Sequence, residues 1–122
     1  MKRVTGVGGI FFKAKDPKAL AEWYQKHLGI DFGGKVYADF QFQEKEKGWI
    51  AFSFFAADTN YFAPSEKEFM INLRVENLDE LVKALREEGV HVFDETEEHE
   101  YGKFGWILDP EGNKIELWEP FN

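Results

Sequence analysis

The sequence predicts an α+β fold made of two similar halves, each with the element order βαβββ. In each half a stripe of apolar residues at helical spacing ends at a glycine, Gly29 in the first and Gly89 in the second. An apolar run precedes each stripe, and further strand-like runs follow it. A repeat of this kind cannot bury its strand face alone, so the two halves are expected to pack as one unit.

The first half begins with an apolar run at residues 7–12, which predicts a strand. Asp16 and Pro17 follow, and these are residue types preferred at a helix cap and at the first helical position. Apolar residues then recur at helical spacing up to Leu28, after which Gly29 ends the helix. Three further strands are predicted, at residues 31–37, 38–43 and 49–55, with a bend at Gly33 and Gly34.

The second half repeats this order. A strand at residues 69–75 leads to a helix that Asn77 caps and that carries Leu78, Leu81, Val82 and Leu85 on one side. Strands are then predicted at residues 90–93, 104–108 and 114–119, with a tight turn at 109–113. Module 1 therefore spans about residues 4–55 and module 2 about residues 68–120. The segment 56–67, which has no periodicity, is the linker, and a lid is the alternative.

The composition limits the partners that the chain is expected to have. The net charge is -8 and no basic cluster is present, so a nucleic acid is not an expected partner. No apolar run has the roughly 20 residues of a membrane span. Cysteine is absent, which is compatible with the expected cytoplasmic location. Thirteen Phe, four Trp and four Tyr exceed what packing alone needs, and they indicate a lined pocket or a buried oligomer interface.

Three local patterns occur in a characteristic order along the chain. They are a strand followed by Asp16-Pro17 and a helix with Trp23-Tyr24, then a strand followed by Glu76-Asn77-Leu78-Asp79, and then Asp109-Pro110-Glu111-Gly112-Asn113 leading into the last strand. With these patterns the chain resembles the glyoxalase / bleomycin-resistance / extradiol-dioxygenase superfamily, also called the vicinal oxygen chelate superfamily. The resemblance implies a single glyoxalase-like domain at residues 1–122. Its modules would form a curved, cup-like, mixed or antiparallel eight-stranded sheet with the helices outside.

The resemblance also implies homodimers, and the cup can close within one chain or by exchange of modules between two chains. In the family, four strands carry His or Glu ligands for a divalent metal. The matching positions here are Gly9, Ala51, Met70 and Glu116, of which only Glu116 has a side chain of the usual ligand type. We therefore expect no metal cofactor, and metal-dependent glyoxalase or dioxygenase chemistry is disfavoured.

Glu116 is a candidate catalytic residue, as a general base or as a remaining metal ligand. The alternative is a structural carboxylate that pairs with Arg74 or Lys114. Both readings stay open at this point.

Strand alternation predicts one face that packs against the helices and one that lines the cup. The first face is entirely apolar: Ile10, Phe12, Ile50, Phe52, Phe54, Ile71, Leu73, Val75, Ile115 and Leu117. The cup face supplies the candidate ligand-binding residues Phe11, Trp49, Ser53, Phe55, Met70, Asn72, Arg74 and Trp118. Trp49, Phe55 and Trp118 are expected to stack on a ligand. Asn72 and Ser53 are expected to hydrogen-bond it, and Arg74 to pair with an anionic group.

The leading hypothesis is a protein that binds a small, aromatic or partly apolar molecule in the cup without a metal. The alternatives are a glyoxalase-type lyase or isomerase with an altered metal site, and a structural or regulatory homodimer that buries the aromatic face.

Overall fold

The computed structural model describes residues 1, 3, 7, 9–42, 45 and 47–121. In chain order it contains α1 (Pro17–Leu28), β1 (Ile71–Arg74), α2 (Leu78–Glu87), β2 (His91–His99), β3 (Gly102–Leu108) and β4 (Lys114–Pro120). None of the helices in this part of the chain is long and apolar enough to cross a membrane.

The strands form one four-stranded mixed sheet in the order β1-β4-β3-β2. The two hairpins β2–β3 and β3–β4 are antiparallel, and they bring β4 beside β1 in parallel orientation. The βαβββ order predicted for the second half is therefore confirmed.

Both helices begin and end where the sequence predicts. Asp16 accepts a hydrogen bond from the backbone N–H of Ala19 at 3.1 Å and caps α1, and Asn77 caps α2 through the N–H of Glu80. Gly29 follows α1 with a φ of 68°, a left-handed conformation that glycine adopts without strain.

The hydrophobic core lies on one face of the sheet, under both helices. Its fully buried side chains are those of Leu78, Leu85, Ile107, Ile115 and Leu117, and Leu20 and Tyr24 of α1 pack against them. The apolar face predicted for the second half is thus confirmed, since Leu73, Ile115 and Leu117 belong to this core region.

The turn between β3 and β4 connects this core to the first half. The buried side chain of Asp109 accepts hydrogen bonds from the Tyr24 hydroxyl and from the side-chain amide of Asn113, at 2.8 and 2.7 Å. The carboxylate of Glu111 accepts the backbone N–H groups of Lys15 and Asp16, which lowers its pKa. Burial, with Asp109 beside it, raises the pKa of Tyr24.

The strands predicted at 7–12, 31–37, 38–43 and 49–55 are not formed at the described residues of these segments; positions 8 and 43 lie outside them. A turn from Phe32 to Lys35 interrupts the second of these segments. An unpaired strand is not stable without a neighbouring strand and a packed face, and the helix-side face of the sheet is already covered. The eight-stranded cup is therefore not confirmed in this chain, which has a four-stranded sheet.

The strand predicted at 90–93 is longer than expected, because β2 continues to His99. The added residues are mostly acidic and show no apolar alternation, so periodicity could not reveal them. They pair with β3 after an irregularity between Val92 and Thr96.

Candidate functional site

The face of the sheet opposite the helices carries two rows of polar and aromatic side chains. Strand register places Asn72, Glu116 and Trp106 in one row, on β1, β4 and β3. The next row contains Arg74, Trp118 and Phe104. Successive residues of a strand point to opposite faces, so both rows lie away from the helix-side core.

Glu116 is buried, with 8% of its surface exposed. Its Oε2 atom accepts hydrogen bonds from the Tyr61 hydroxyl at 2.5 Å and from Trp106 Nε1 at 2.9 Å. Its Oε1 atom accepts one from Asn72 Nδ2 at 2.8 Å. A buried carboxyl group needs such partners to replace lost hydration, and here all three are neutral donors.

Tyr61 belongs to the linker and lies over the sheet at Glu116. The ring of Phe55 stacks on it at 5.4 Å between centroids, and Trp106 meets it edge-on at 6.1 Å. Burial, together with the hydrogen bond to Glu116, raises the pKa of Tyr61. The hydroxyl therefore keeps its proton and donates a hydrogen bond to the carboxyl oxygen of Glu116.

Lys114 completes this cluster. Its Nζ donates to the Tyr61 carbonyl oxygen at 2.7 Å and lies 5.0 to 5.7 Å from the ring centroids of Phe93, Tyr61 and Trp106. These distances are within the range of cation–π attraction. Burial lowers the pKa of Lys114, although Glu116 acts in the opposite direction. We call Glu116, Asn72, Trp106, Tyr61 and Lys114 the Glu116 site.

Trp118 lies beside this site in the second row. It is only 5% exposed, with Phe104 stacked on it at 6.1 Å and Trp49 edge-on at 5.1 Å. Its indole N–H donates to the carbonyl oxygen of Tyr101 at 2.8 Å. Trp49 is half-exposed and forms the outer surface of this aromatic group.

The structure brings together several of the predicted ligand-binding residues. Asn72 contacts Glu116, Trp49 contacts Trp118, and Phe55 contacts the site through Tyr61. Phe11 and Ser53 are exposed, and Met70 is partly buried just before β1.

The alternative in which Glu116 pairs with Arg74 is not observed among the described contacts of Glu116. Arg74 lies opposite Trp118 rather than Glu116, and it donates to the carbonyl oxygen of Lys47 at 2.7 Å. Lys114 also directs its ammonium group to Tyr61 rather than to the carboxyl group.

Two members of the site were missed from the sequence. Trp106 lies in a predicted strand, and extending the alternation of the cup face to that strand would have found it. Tyr61 lies in a segment without periodicity, so no sequence pattern placed it at Glu116.

The residues at the four family ligand positions do not fit a divalent metal. Gly9 and Ala51 offer no donor atom, and Met70 offers only a thioether, which suits soft metals. Neutral donors already occupy both oxygens of Glu116. Within the described part of the chain, no three His, Cys, Asp or Glu residues form a group that could hold a metal ion.

Comparisons with known proteins identify relatives of this sequence. The family model described as "Glyoxalase-like domain" matches residues 9–118. A search of curated proteins finds no match.

Similar solved structures include a member of the glyoxalase/bleomycin resistance protein/dioxygenase superfamily from Sphaerobacter thermophilus DSM 20745. It is 36% identical, with 40% of each chain covered and a TM-score of 0.37. TnmS3, an antibiotic-binding protein from Streptomyces sp. CB03234, is 31% identical over 43% of this chain and 44% of its own, with a TM-score of 0.40. A glyoxalase/bleomycin resistance protein/dioxygenase from Alicyclobacillus acidocaldarius is 15% identical over 52% of this chain and 56% of its own, with a TM-score of 0.38. These matches cover less than two thirds of either chain.

Proposed function

Because the chain belongs to the glyoxalase-like domain family, we propose that it binds a small aromatic or partly apolar molecule at the Glu116 site, without a catalytic metal. One observation carries the proposal. A buried acidic side chain lies among aromatic rings on the face of the sheet that the helices do not cover.

The composition of this face supports binding rather than simple packing. Small-molecule sites combine mostly apolar walls with a few oriented polar groups. Here Trp106 and Phe55 supply aromatic surface, while Glu116 and Asn72 supply an acceptor and a donor. The stabilising core of the molecule lies on the opposite face, so these polar groups are not required to fill it.

The alternative of a glyoxalase-type lyase with an altered metal site has less support. It needs further metal ligands beside Glu116, and the described residues around that side chain are Tyr61, Asn72 and Trp106. None of these is a common ligand of catalytic zinc or iron.

A substitution at the centre of the site tests the proposal. Isothermal titration calorimetry measures the binding of toluene, indole, 4-methylphenol and 4-methylbenzoate. Wild type is expected to bind indole or 4-methylphenol, and Glu116→Gln is expected to bind the same compound about tenfold more weakly. The substitution replaces one carboxyl oxygen by an amide group and keeps the shape, and tenfold corresponds to about 1.4 kcal/mol.

Glu98→Gln is the matched control, because the same substitution is then made at an exposed position of β2. It is expected to bind as wild type does. The proposal is wrong if none of the four compounds binds, or if Glu116→Gln and wild type bind equally well.

We also propose that the chain forms a homodimer through the unpaired segments of its first half. Five phenylalanine side chains there are at least 74% exposed: Phe11, Phe40, Phe42, Phe52 and Phe54. With roughly 200 Å² for each ring, they expose on the order of 800 Å² of aromatic surface. A stable interface buries about 800 Å² on each partner, so burying these rings between two copies would supply the area that a dimer needs.

A second copy is the occupant that suits this surface. The segments 9–12 and 49–55 contain no charged residue, although the chain carries a net charge of -8. Two copies can therefore meet there without bringing like charges together. The same segments have the apolar pattern of strands that lack a partner in one chain.

A further inference from the structure

The phenol group of Tyr61 is held in the Glu116 site in the way that a ligand is held. Its hydroxyl donates to a buried acceptor, one ring face is stacked on Phe55, and Trp106 meets the ring edge-on. The ammonium group of Lys114 lies 5.4 Å from the ring centroid. The sheet side of the site, Glu116 with Trp106 and Lys114, is thus complementary to a ring that carries one hydroxyl group.

The linker that carries Tyr61 has its own internal hydrogen bonds. Backbone N–H groups of Thr59, Ala63 and Ser65 donate to carbonyl oxygens three residues earlier, each at 3.0 Å. Both described hydrogen bonds between the linker and the sheet involve Tyr61, one through its hydroxyl and one through its carbonyl oxygen. Movement of Tyr61 alone away from the sheet would therefore free the site, while the hydrogen bonds within the linker are kept.

We propose that Tyr61 is an internal occupant of the site, and that the ligand is a phenol, a compound with an aromatic ring and a hydroxyl donor, which displaces it. The inference rests on the proposed function and specifies its ligand class. The incoming hydroxyl donates to Glu116 in place of the Tyr61 hydroxyl, and the incoming ring takes the position beside Trp106 and below Lys114.

The same geometry discriminates against other aromatic compounds. Toluene offers no hydrogen to the Glu116 oxygen, and a buried acceptor that loses a partner is destabilised. An aromatic carboxylate places its acceptor oxygens against those of Glu116, so the two groups repel.

The first test uses Tyr61→Ala, which opens a space of the size of a phenol ring over Glu116. 4-Methylphenol, the side chain of tyrosine as a free molecule, is expected to bind this variant at least tenfold more tightly than wild type. Toluene and 4-methylbenzoate are expected to bind it at least tenfold more weakly than 4-methylphenol does. Tyr61→Phe keeps the ring but loses the hydroxyl that donates to Glu116, so it is expected to bind 4-methylphenol more tightly than wild type and less tightly than Tyr61→Ala. Tyr37→Ala makes the same change at an exposed tyrosine, and as the matched control it is expected to bind as wild type does.

The outcomes separate the two proposals. Equal binding of toluene and 4-methylphenol to Tyr61→Ala overturns the phenol inference and leaves the proposed aromatic site. Equal binding of 4-methylphenol to Tyr61→Ala and wild type overturns the role of Tyr61 as occupant. No binding of any of these compounds, or of indole, to either protein overturns the proposed function as well.

A second test needs no folded Tyr61→Ala protein. Wild type is labelled with 3-fluorotyrosine, and the fluorine resonance of Tyr61 is assigned by its loss in Tyr61→Phe. Saturating 4-methylphenol is expected to move this resonance to the position of solvent-exposed fluorotyrosine. A resonance that stays in place while 4-methylphenol binds overturns displacement.

Discussion

Sedimentation equilibrium of the wild-type protein at tens of micromolar is expected to give about twice the 14.2 kDa mass of one chain. The aromatic surface of the first half is the reason, because its burial between two copies removes it from water. Replacing Phe52 and Phe54 by Asp is expected to return the mass to that of a single chain. Each substitution places a charge at a side chain that is exposed in one chain and that the proposed dimer would bury.

Phe121→Asp is the control for this experiment, since Phe121 is also exposed but lies after β4. It is expected to keep the dimer mass. A wild-type protein that sediments as a monomer at these concentrations contradicts the dimer proposal, and so does a Phe52→Asp, Phe54→Asp variant that remains dimeric.

Asp109→Ala is expected to lower the free energy of unfolding by about 3 kcal/mol or more. The buried carboxyl group accepts four hydrogen bonds, from Tyr24, Glu111 and two nitrogens of Asn113. Its removal leaves the buried Tyr24 hydroxyl and the Asn113 amide without acceptors. It also removes the side-chain hydrogen bond from α1 to the turn, while the hydrogen bonds of Glu111 with Lys15 and Asp16 remain. Urea denaturation followed by circular dichroism measures the loss.

Asp58→Ala makes the same change at an exposed linker position and is expected to leave the unfolding midpoint unchanged within error. A loss below about 1 kcal/mol in Asp109→Ala would contradict the stabilising role assigned to the hydrogen bonds of Asp109.

The second half of the fold could be predicted from the sequence because its signals are local. Asn77 before the apolar stripe and Gly89 after it bound α2, and residues 109–113 form the turn between two alternating strands. The first half carries equally clear strand patterns, but a strand forms only where a neighbouring strand and a packed face exist. Those conditions depend on tertiary or quaternary partners, which the spacing of apolar residues does not specify.

The candidate site, too, was predicted only in part from the sequence. Alternation and the family resemblance placed Glu116, Asn72 and Trp118 on one face, because they lie on adjacent strands of the sheet. Tyr61 reaches Glu116 from 55 positions away along the chain, through turns whose geometry no periodicity encodes. The hydrogen bonds that neutral donors make to Glu116 could therefore be identified only in the three-dimensional structure.

The central claim is that the Glu116 site binds an aromatic molecule without a metal, and one measurement tests it most directly. Protein purified without an affinity tag is assayed for bound metal and treated with a chelator. Its thermal unfolding is then followed with 4-methylphenol and indole, and separately with nickel, zinc, iron(II) and manganese. We expect an aromatic compound to raise the melting temperature of the metal-free protein and none of the metals to do so. Near-stoichiometric metal in the purified protein, or stabilisation by one metal and by neither aromatic compound, would contradict this account.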